Sequence, residues 1–270
     1  MMAILYKTAK NTPILVAANR EEFFSRPTQI PKIQSGSPRV VCGIDLKAGG
    51  TWLGVNQHGL VAAVTNRPKT LVPPDPRSRG LLCRELLQLR HAAEATRHAA
   101  KELATGVYAG ANYLCADADY AAVVCGGDRI EIVELQPGLH LLSNGNLDDP
   151  DDSRHEFIRR TLTLHTLDSA VTFLAVASRA FSRKSDSSGR RGAIIAEKDY
   201  GTVSSTLLSL PAKIQQAVYH YAPGPPCDRA YDDLSALLRQ VLSANRSKRN
   251  KNNGNDSNSR KAKKEKTKKK

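Results

Sequence analysis

The feature that most constrains folding is the order in which short and long apolar segments follow one another. Strand-length runs come in blocks: 3–6 and 13–19, then 51–55 and 60–65, then 112–116, 121–125, 130–135 and 139–143, and finally 202–210 and 214–221. Pairs of segments with helical composition separate the blocks, 81–89 with 92–103 and 153–165 with 168–181, and a last helix is expected at about 229–243. A doubly wound parallel sheet needs strands and helices to alternate singly. Strand blocks alternating with helix pairs predict antiparallel sheets covered by helices, an α+β fold.

Turn chemistry agrees. Lys10-Asn11-Thr12 splits the first two runs into a hairpin, and Asn56-Gln57-His58-Gly59 joins the next two with glycine where a positive φ is wanted. Ser78 is a candidate N-cap for the helix at 81–89, and Asp168 for the helix at 168–181. Residues 182–191 form a polar, serine-rich loop, and no internal repeat is visible.

The chain has 270 residues, 40% of them hydrophobic, enough for a large core. Nothing forces a second folded domain, so residues 1–245 are read as one. From Arg246 to Lys270 there are twelve Lys or Arg against two acids, so the tail carries +10 of the total +14. That tail has no aromatic residue and no aliphatic larger than alanine, so 246–270 is expected to be disordered. It is either a solubilising appendage or a weak electrostatic anchor for an anionic partner such as nucleic acid, ribosomes or anionic lipid. The body shows no nucleic-acid module, and aromatic residues are scarce at 5%.

Five cysteines, odd in number and without a C-x-x-C pair, argue for a reducing compartment and against a disulfide framework or zinc ribbon. No signal peptide and no membrane-length apolar run is present, so a cytoplasmic protein is expected. Phosphate loops, H-E-x-x-H and paired helical histidines are also absent; His58 and His220 alone among the histidines fall near candidate site segments.

Function concentrates near the start. The apolar run Ile14–Ala18 ends in Asn19-Arg20-Glu21-Glu22-Phe23-Phe24-Ser25-Arg26-Pro27, followed by Gly49-Gly50-Thr51-Trp52-Leu53-Gly54. A strand-to-turn junction does not need four polar groups in a row. Further along stand Gly59–Asn66 (GLVAAVTN), Ser78-Arg79-Gly80-Leu81-Leu82, Gly110–Asp117 (GANYLCAD), Leu141–Asn144 (LLSN) with Asp148–Pro150, and Tyr200–Thr206 (YGTVSST). In this order and spacing, over about residues 3–245, these motifs closely resemble the NRDE family, which includes the transport and Golgi organisation proteins. Glu21 stands where the family has Asp, and Val203 where it often has Arg.

The resemblance implies a four-layer αββα sandwich, two stacked antiparallel sheets with outer helices, as in N-terminal-nucleophile hydrolases. There the first residue of the mature chain is Cys, Ser or Thr, and its own α-amine is the base. The pairing is chemically sound, because an α-amine titrates near ~7.7–8.0 and a thiol near ~8.5. NRDE proteins generally begin Met-Cys; this chain begins Met1-Met2-Ala3-Ile4. Either the reading frame starts upstream and supplies a Cys, or Met2 replaces it in a chain that no longer catalyses. The first is preferred, because Met1–Ile4 reads as the interior of an apolar strand.

By resemblance to the choloylglycine hydrolase and penicillin acylase branch, Asn19, Arg20, Glu21 and Glu22 would bind substrate and orient the amine. Asn66 would donate to an oxyanion, and Asn144 matches another site asparagine. Each role has a structural alternative: Arg20 in a surface ion network with Glu22 and Arg26, or Asn66-Arg67-Pro68 as a plain turn. Ser204, Ser205 and Thr206 lack a nucleophile elbow, and strand alternation puts Ser204 and Thr206 on one face, read as core hydroxyls. Trp52, the only tryptophan, is read as closing the core beneath Gly49-Gly50, with stacking on a ligand also open to it.

Two functions stay open. One is an amidohydrolase cleaving the amide of a small acylated molecule, with no metal or organic cofactor. The other is a non-catalytic carrier of haem or an acyl lipid, a role linked to members of the family.

Overall fold

The computed structural model describes residues 1–185 and 191–244. The tail expected to be disordered lies outside the described residues, as does the centre of the serine-rich loop.

The elements are β1 (Met2–Tyr6), β2 (Ile14–Phe23), β3 (Thr28–Gln34), β4 (Val40–Asp45), β5 (Leu53–Asn56), β6 (Val61–Asn66), α1 (Arg79–Leu86) and α2 (Ala92–Ala104). Then follow β7 (Ala111–Ala116), β8 (Ala121–Gly126), β9 (Ile130–Glu134), β10 (Gly138–Leu142), α3 (Ser153–Thr163) and α4 (Ala170–Phe181). The chain continues through β11 (Tyr200–Leu210), β12 (Val218–Ala222) and β13 (Asp232–Asp233) to a helix, α5, at 235–244. One sheet has the order β10-β1-β2-β11-β12-β13 and the other β3-β4-β5-β6-β7-β8-β9, with antiparallel pairing between all neighbours.

Three apolar clusters account for the layers. Successive strand residues point to opposite faces. Met2, Ile4 and Tyr6 of β1 therefore join residues of the second sheet such as Leu53, Val55 and Val61 in a core between the sheets. Ala3 and Leu5 meet Ile158, Phe173 and Phe181 of α3 and α4 on the outer face. On the other side, Leu82 and Leu86 of α1 and Ala95 and Ala99 of α2 cover Cys42, Ala62 and Tyr113. The result is the expected helix–sheet–sheet–helix stack. The fifth helix departs from it: Leu238, Val241 and Leu242 of α5 pack into the core between the sheets. Arg239 and Ser235 tie α5 to β12, through Ala217 O and Tyr219 N. Among the described residues no helix is long and apolar enough to cross a membrane.

Both early hairpins form as expected, with Asn11 at φ 57° and Gly59 at φ 85°, and Ser78 caps α1 by accepting from Leu81 N. Several boundaries differ. Ser169, not Asp168, caps α4, its Oγ accepting from Thr172 N at 3.2 Å. The strand expected at 214–221 begins as a 3-10 turn, Ile214–Gln216, and β12 starts only at Val218. The last helix starts at 235 because Asp232-Asp233 pair with β12 first and Asp233 accepts from Ser235 N. Strands β3 and β4 go beyond the expected set. Pro31 interrupts β3, an edge strand with a register shift between Gln29 and Lys32, where a missing N–H is tolerated.

Candidate functional site

The two sheets part at the head of β1, leaving a cleft of about 510 Å³. Met1 and Met2, the second half of β2, and Ser204 and Thr206 of β11 form one wall. Asp45, Trp52, Thr65, Asn66 and the first residues of α1 form the other, with Asn144 at the rim. All six residues expected at a site border this cleft.

Strand alternation divides the polar cluster on β2 into two pairs. Asn19 and Glu21 turn towards the α3 and α4 layer. Asn19 is buried, and its Nδ2 donates to Phe181 O at 3.0 Å and Ala193 O at 3.4 Å, so it pins the end of α4. Its Oδ1 is buried with no partner among the described residues. Glu21 accepts from the α-amino group of Met1 at 2.9 Å and lies 3.6 Å from Arg154 of α3. The same amino group donates to Asn19 O at 3.0 Å. Burial lowers its pKa below 8.0, against the pull of Glu21.

Arg20 and Glu22 turn inward. The Arg20 guanidinium lies over the Trp52 ring at 4.4 Å, donates to Thr28 Oγ1 at 3.3 Å and pairs with Glu22 at 3.5 Å. Glu22 also pairs with Arg26 at 3.5 Å, and Arg26 binds Asp45 in bidentate fashion at 3.1 and 2.6 Å. Burial lowers the Arg20 pKa despite Glu22. At Asp45 burial works to raise the pKa, but hydrogen bonds from Arg26 and the Lys47 amide overcome it, leaving the carboxyl lower than usual. The ion network anticipated around Arg20 exists, then, but it lines a cavity instead of an open surface. Trp52 both packs against the core and supports Arg20, while Gly43 makes room for its ring: a Cβ there would sit 2.3 Å from Trp52 Cη2.

Asn66 ends β6, and Asn144 follows β10 on the opposite sheet. Both are exposed, and neither side chain is hydrogen-bonded among the described residues, so both amides are available to a ligand. What brings them to one cleft is a clamp the sequence did not reveal. Asn112, fully buried on β7, donates through Nδ2 to Thr65 Oγ1, Ser143 O and Gly145 O at 3.3, 3.3 and 3.0 Å. Arg67 donates to Asn112 Oδ1 at 3.2 Å, Gly145 O at 2.8 Å and Asn146 Oδ1 at 2.6 Å. Thr65 donates to Ser143 O at 2.6 Å. The segment carrying Asn144 is thereby tied to the strand end carrying Asn66. Asn112 lies inside the GANYLCAD motif, but only its burial gives it a role.

None of the five thiols borders the cleft. Cys42, Cys83 and Cys115 lie under α1 and α2, Cys125 lies between the sheets, and Cys227 is exposed elsewhere. Burial pushes Cys42 up to about 11 and Cys115 up to about 12, so neither is a thiolate near neutrality. Ser204 and Thr206 share the cleft-facing side, as alternation required, and neither hydrogen-bonds a carboxylate or a histidine among the described residues. Ser205 faces away, bonded to Tyr231 at 2.8 Å. His58 and His220 lie outside the cleft wall. Among the described residues no group of three or more His, Cys, Asp or Glu is placed to hold a metal ion.

Comparison with known proteins bears on this arrangement. The model of the family described as Transport and Golgi organisation 2 matches residues 1–219. A Transport and Golgi organization 2 homolog from Mus musculus is 34% identical over 146 residues, 51% of this chain and 52% of that protein. The chain thus spans about half the length of the curated relatives it matches. An N-acylethanolamine-hydrolyzing acid amidase ortholog from Caenorhabditis elegans superposes with a TM-score of 0.57 at 12% identity, over 80% of this chain and 98% of that one. Penicillin V acylase from Agrobacterium tumefaciens gives 0.50 at 14%, over 88% of each chain. At such identities the likeness shows the fold alone.

Proposed function

The chain belongs to the Transport and Golgi organisation 2 family, and on that premise we propose that it binds a small acylated molecule in the cleft between its sheets without cleaving it. One observation carries this. The side chain that the head of β1 turns towards the space between the sheets is the Met2 thioether, and no thiol borders the cleft. A thioether has no proton to lose and is not activated by an adjacent base.

The ligand class follows from the wall. Met2, Trp52, Leu53 and Val64 offer apolar surface for a chain, while Arg20, Asn66 and Asn144 offer donors for a polar head. One fold neighbour is named as an acylase and another as an N-acylethanolamine-hydrolyzing amidase, which makes acyl compounds the first ligands to try. Haem fits less well. Among the described residues the cleft wall has no histidine or cysteine, leaving Met1, Met2 and Tyr200 as its side chains with ligand character. A cytoplasmic setting is part of this proposal, supported by an odd number of cysteines without a C-x-x-C pair. Attachment to an anionic partner is left to the basic tail.

Amide hydrolysis is the second reading, favoured by the free amides of Asn66 and Asn144 and by the carboxylate that holds an α-amino group beside the cleft. It requires a cysteine at the head of β1. Incubation with N-dodecanoylethanolamine separates the two: a binder returns the intact amide in complex, whereas a hydrolase releases dodecanoate. A protein that does neither would refute both.

A further inference from the structure

The charges around the cleft do not balance. Glu21 is matched by the Met1 amino group and Arg154, and Glu22 and Asp45 by Arg20 and Arg26. Arg77 turns to Glu85 and Glu102 at 2.6 and 3.0 Å. Arg79 has no carboxylate partner among the described residues. Its one side-chain hydrogen bond runs from Nη1 to Gly110 O at 3.1 Å, leaving most of a five-donor fork unused.

This guanidinium is half-buried at the cleft wall. Burial lowers its pKa, with Tyr113 and Glu22 acting in the opposite direction. A partly desolvated cation without a counter-ion is costly, and structures retain one where something supplies the missing charge. Arg79 also opens α1, so the positive end of that helix adds to the same field.

We infer that Arg79 is the head-group receptor of the cleft, and that the ligand carries an oxyanion, a carboxylate or phosphate, which the free edge of this guanidinium binds. The inference deepens the proposal of an acyl-binding cleft and rests on it for the ligand's tail. An arginine fork matches such groups geometrically, whereas lysine offers only a point charge. The apolar wall around Met2 and Trp52 then receives the chain.

The test uses the full chain and calorimetric titration with dodecanoate, dodecyl phosphate, neutral N-dodecanoylethanolamine and inorganic phosphate. One charged hydrogen-bonded contact is worth roughly 10- to 100-fold in affinity. The wild type should therefore prefer an anionic dodecyl compound to the neutral amide by about that factor. Arg79→Gln should erase the preference while leaving the neutral affinity intact, and Arg79→Lys should restore part of it. Arg97→Gln, on the exposed side of α2, should change nothing. The stronger of the two anions identifies the head group. Equal binding of neutral and anionic compounds by the wild type, or unchanged preference in Arg79→Gln, would overturn the inference and leave acyl binding standing. If no dodecyl compound binds but phosphate raises the melting temperature of the wild type and not of Arg79→Gln, acyl binding fails and the oxyanion site stands. Should Arg79→Gln not fold, the comparison of wild type with Arg79→Lys decides: the same anion preference in both would overturn the fork contact.

Discussion

Replacing Asn112 by alanine tests the clamp that shapes the cleft. The side chain is fully buried; its two Nδ2 hydrogens are shared among three acceptor oxygens, and its Oδ1 accepts from Arg67. Not every partner would be orphaned. Ser143 O keeps its bond from Thr65 Oγ1, and Gly145 O keeps its bond from Arg67. With a net value of about 1 kcal/mol per bond and some of these groups still satisfied, the loss should be roughly 2–4 kcal/mol. For a domain of this size that corresponds to a fall in melting temperature of roughly 5–15 °C. The loss should also be local. Amide hydrogen exchange followed by mass spectrometry should show residues 143–146 opening faster, with the α2 and β8 peptides little changed. A melting temperature within about 2 °C of wild type, together with unchanged exchange at 143–146, would refute the view that Asn112 holds the rim.

Other consequences are open to measurement. Trp52 is the only tryptophan and supports Arg20, so Arg20→Met should alter its fluorescence; an unchanged spectrum would contradict the stack. Gly43→Ala should cost roughly 1–3 kcal/mol, because its Cβ would meet the Trp52 ring at 2.3 Å; chemical denaturation measures it, and a neutral result would contradict the close approach. At His140 burial works to lower the pKa, but the 2.7 Å contact with Asp148 and the Gln136 carbonyl outweigh it and leave the pKa above 6.5. A raised folded-state pKa adds stability that is full below about pH 6.5 and is lost as pH rises through the folded value. The gap in melting temperature between wild type and His140→Gln should therefore narrow from pH 6 to pH 8. His155, lowered by burial, contributes a slope of the opposite sign in both proteins and cancels from the difference. Removal of 246–270 should abolish retention on heparin and leave ligand affinity in the cleft unchanged; retention by the truncated protein would place the anion-binding surface in the body.

The layers were legible in the sequence because alternation on β1 and β2 and the helix pairs at 79–104 and 153–181 are local signals. Strands β3 and β4 were not, since Pro31 and Pro38 mask their period and pairing alone makes them strands. An outer position is what the layered arrangement implies for α5, yet its leucines fill the core between the sheets, a tertiary choice that composition does not encode. At the site, a motif of adjacent letters hid a division: alternation sends Arg20 and Glu22 into the cleft while Asn19 hydrogen-bonds the α4 end and Glu21 meets Met1 and Arg154. In the sequence Arg79 stands out only as part of a family motif. Its significance lies in lacking a carboxylate partner among the described residues, which only the arrangement of all neighbouring charges reveals.

The central claim is most directly tested by native mass spectrometry of the protein purified from its own host and mixed with N-dodecanoylethanolamine. The account predicts a non-covalent complex of intact amide with protein, no acyl adduct on the N-terminal peptide and no free dodecanoate over hours. Accumulating dodecanoate, or an acyl group on a cysteine at the head of β1, would contradict it and make the protein a hydrolase.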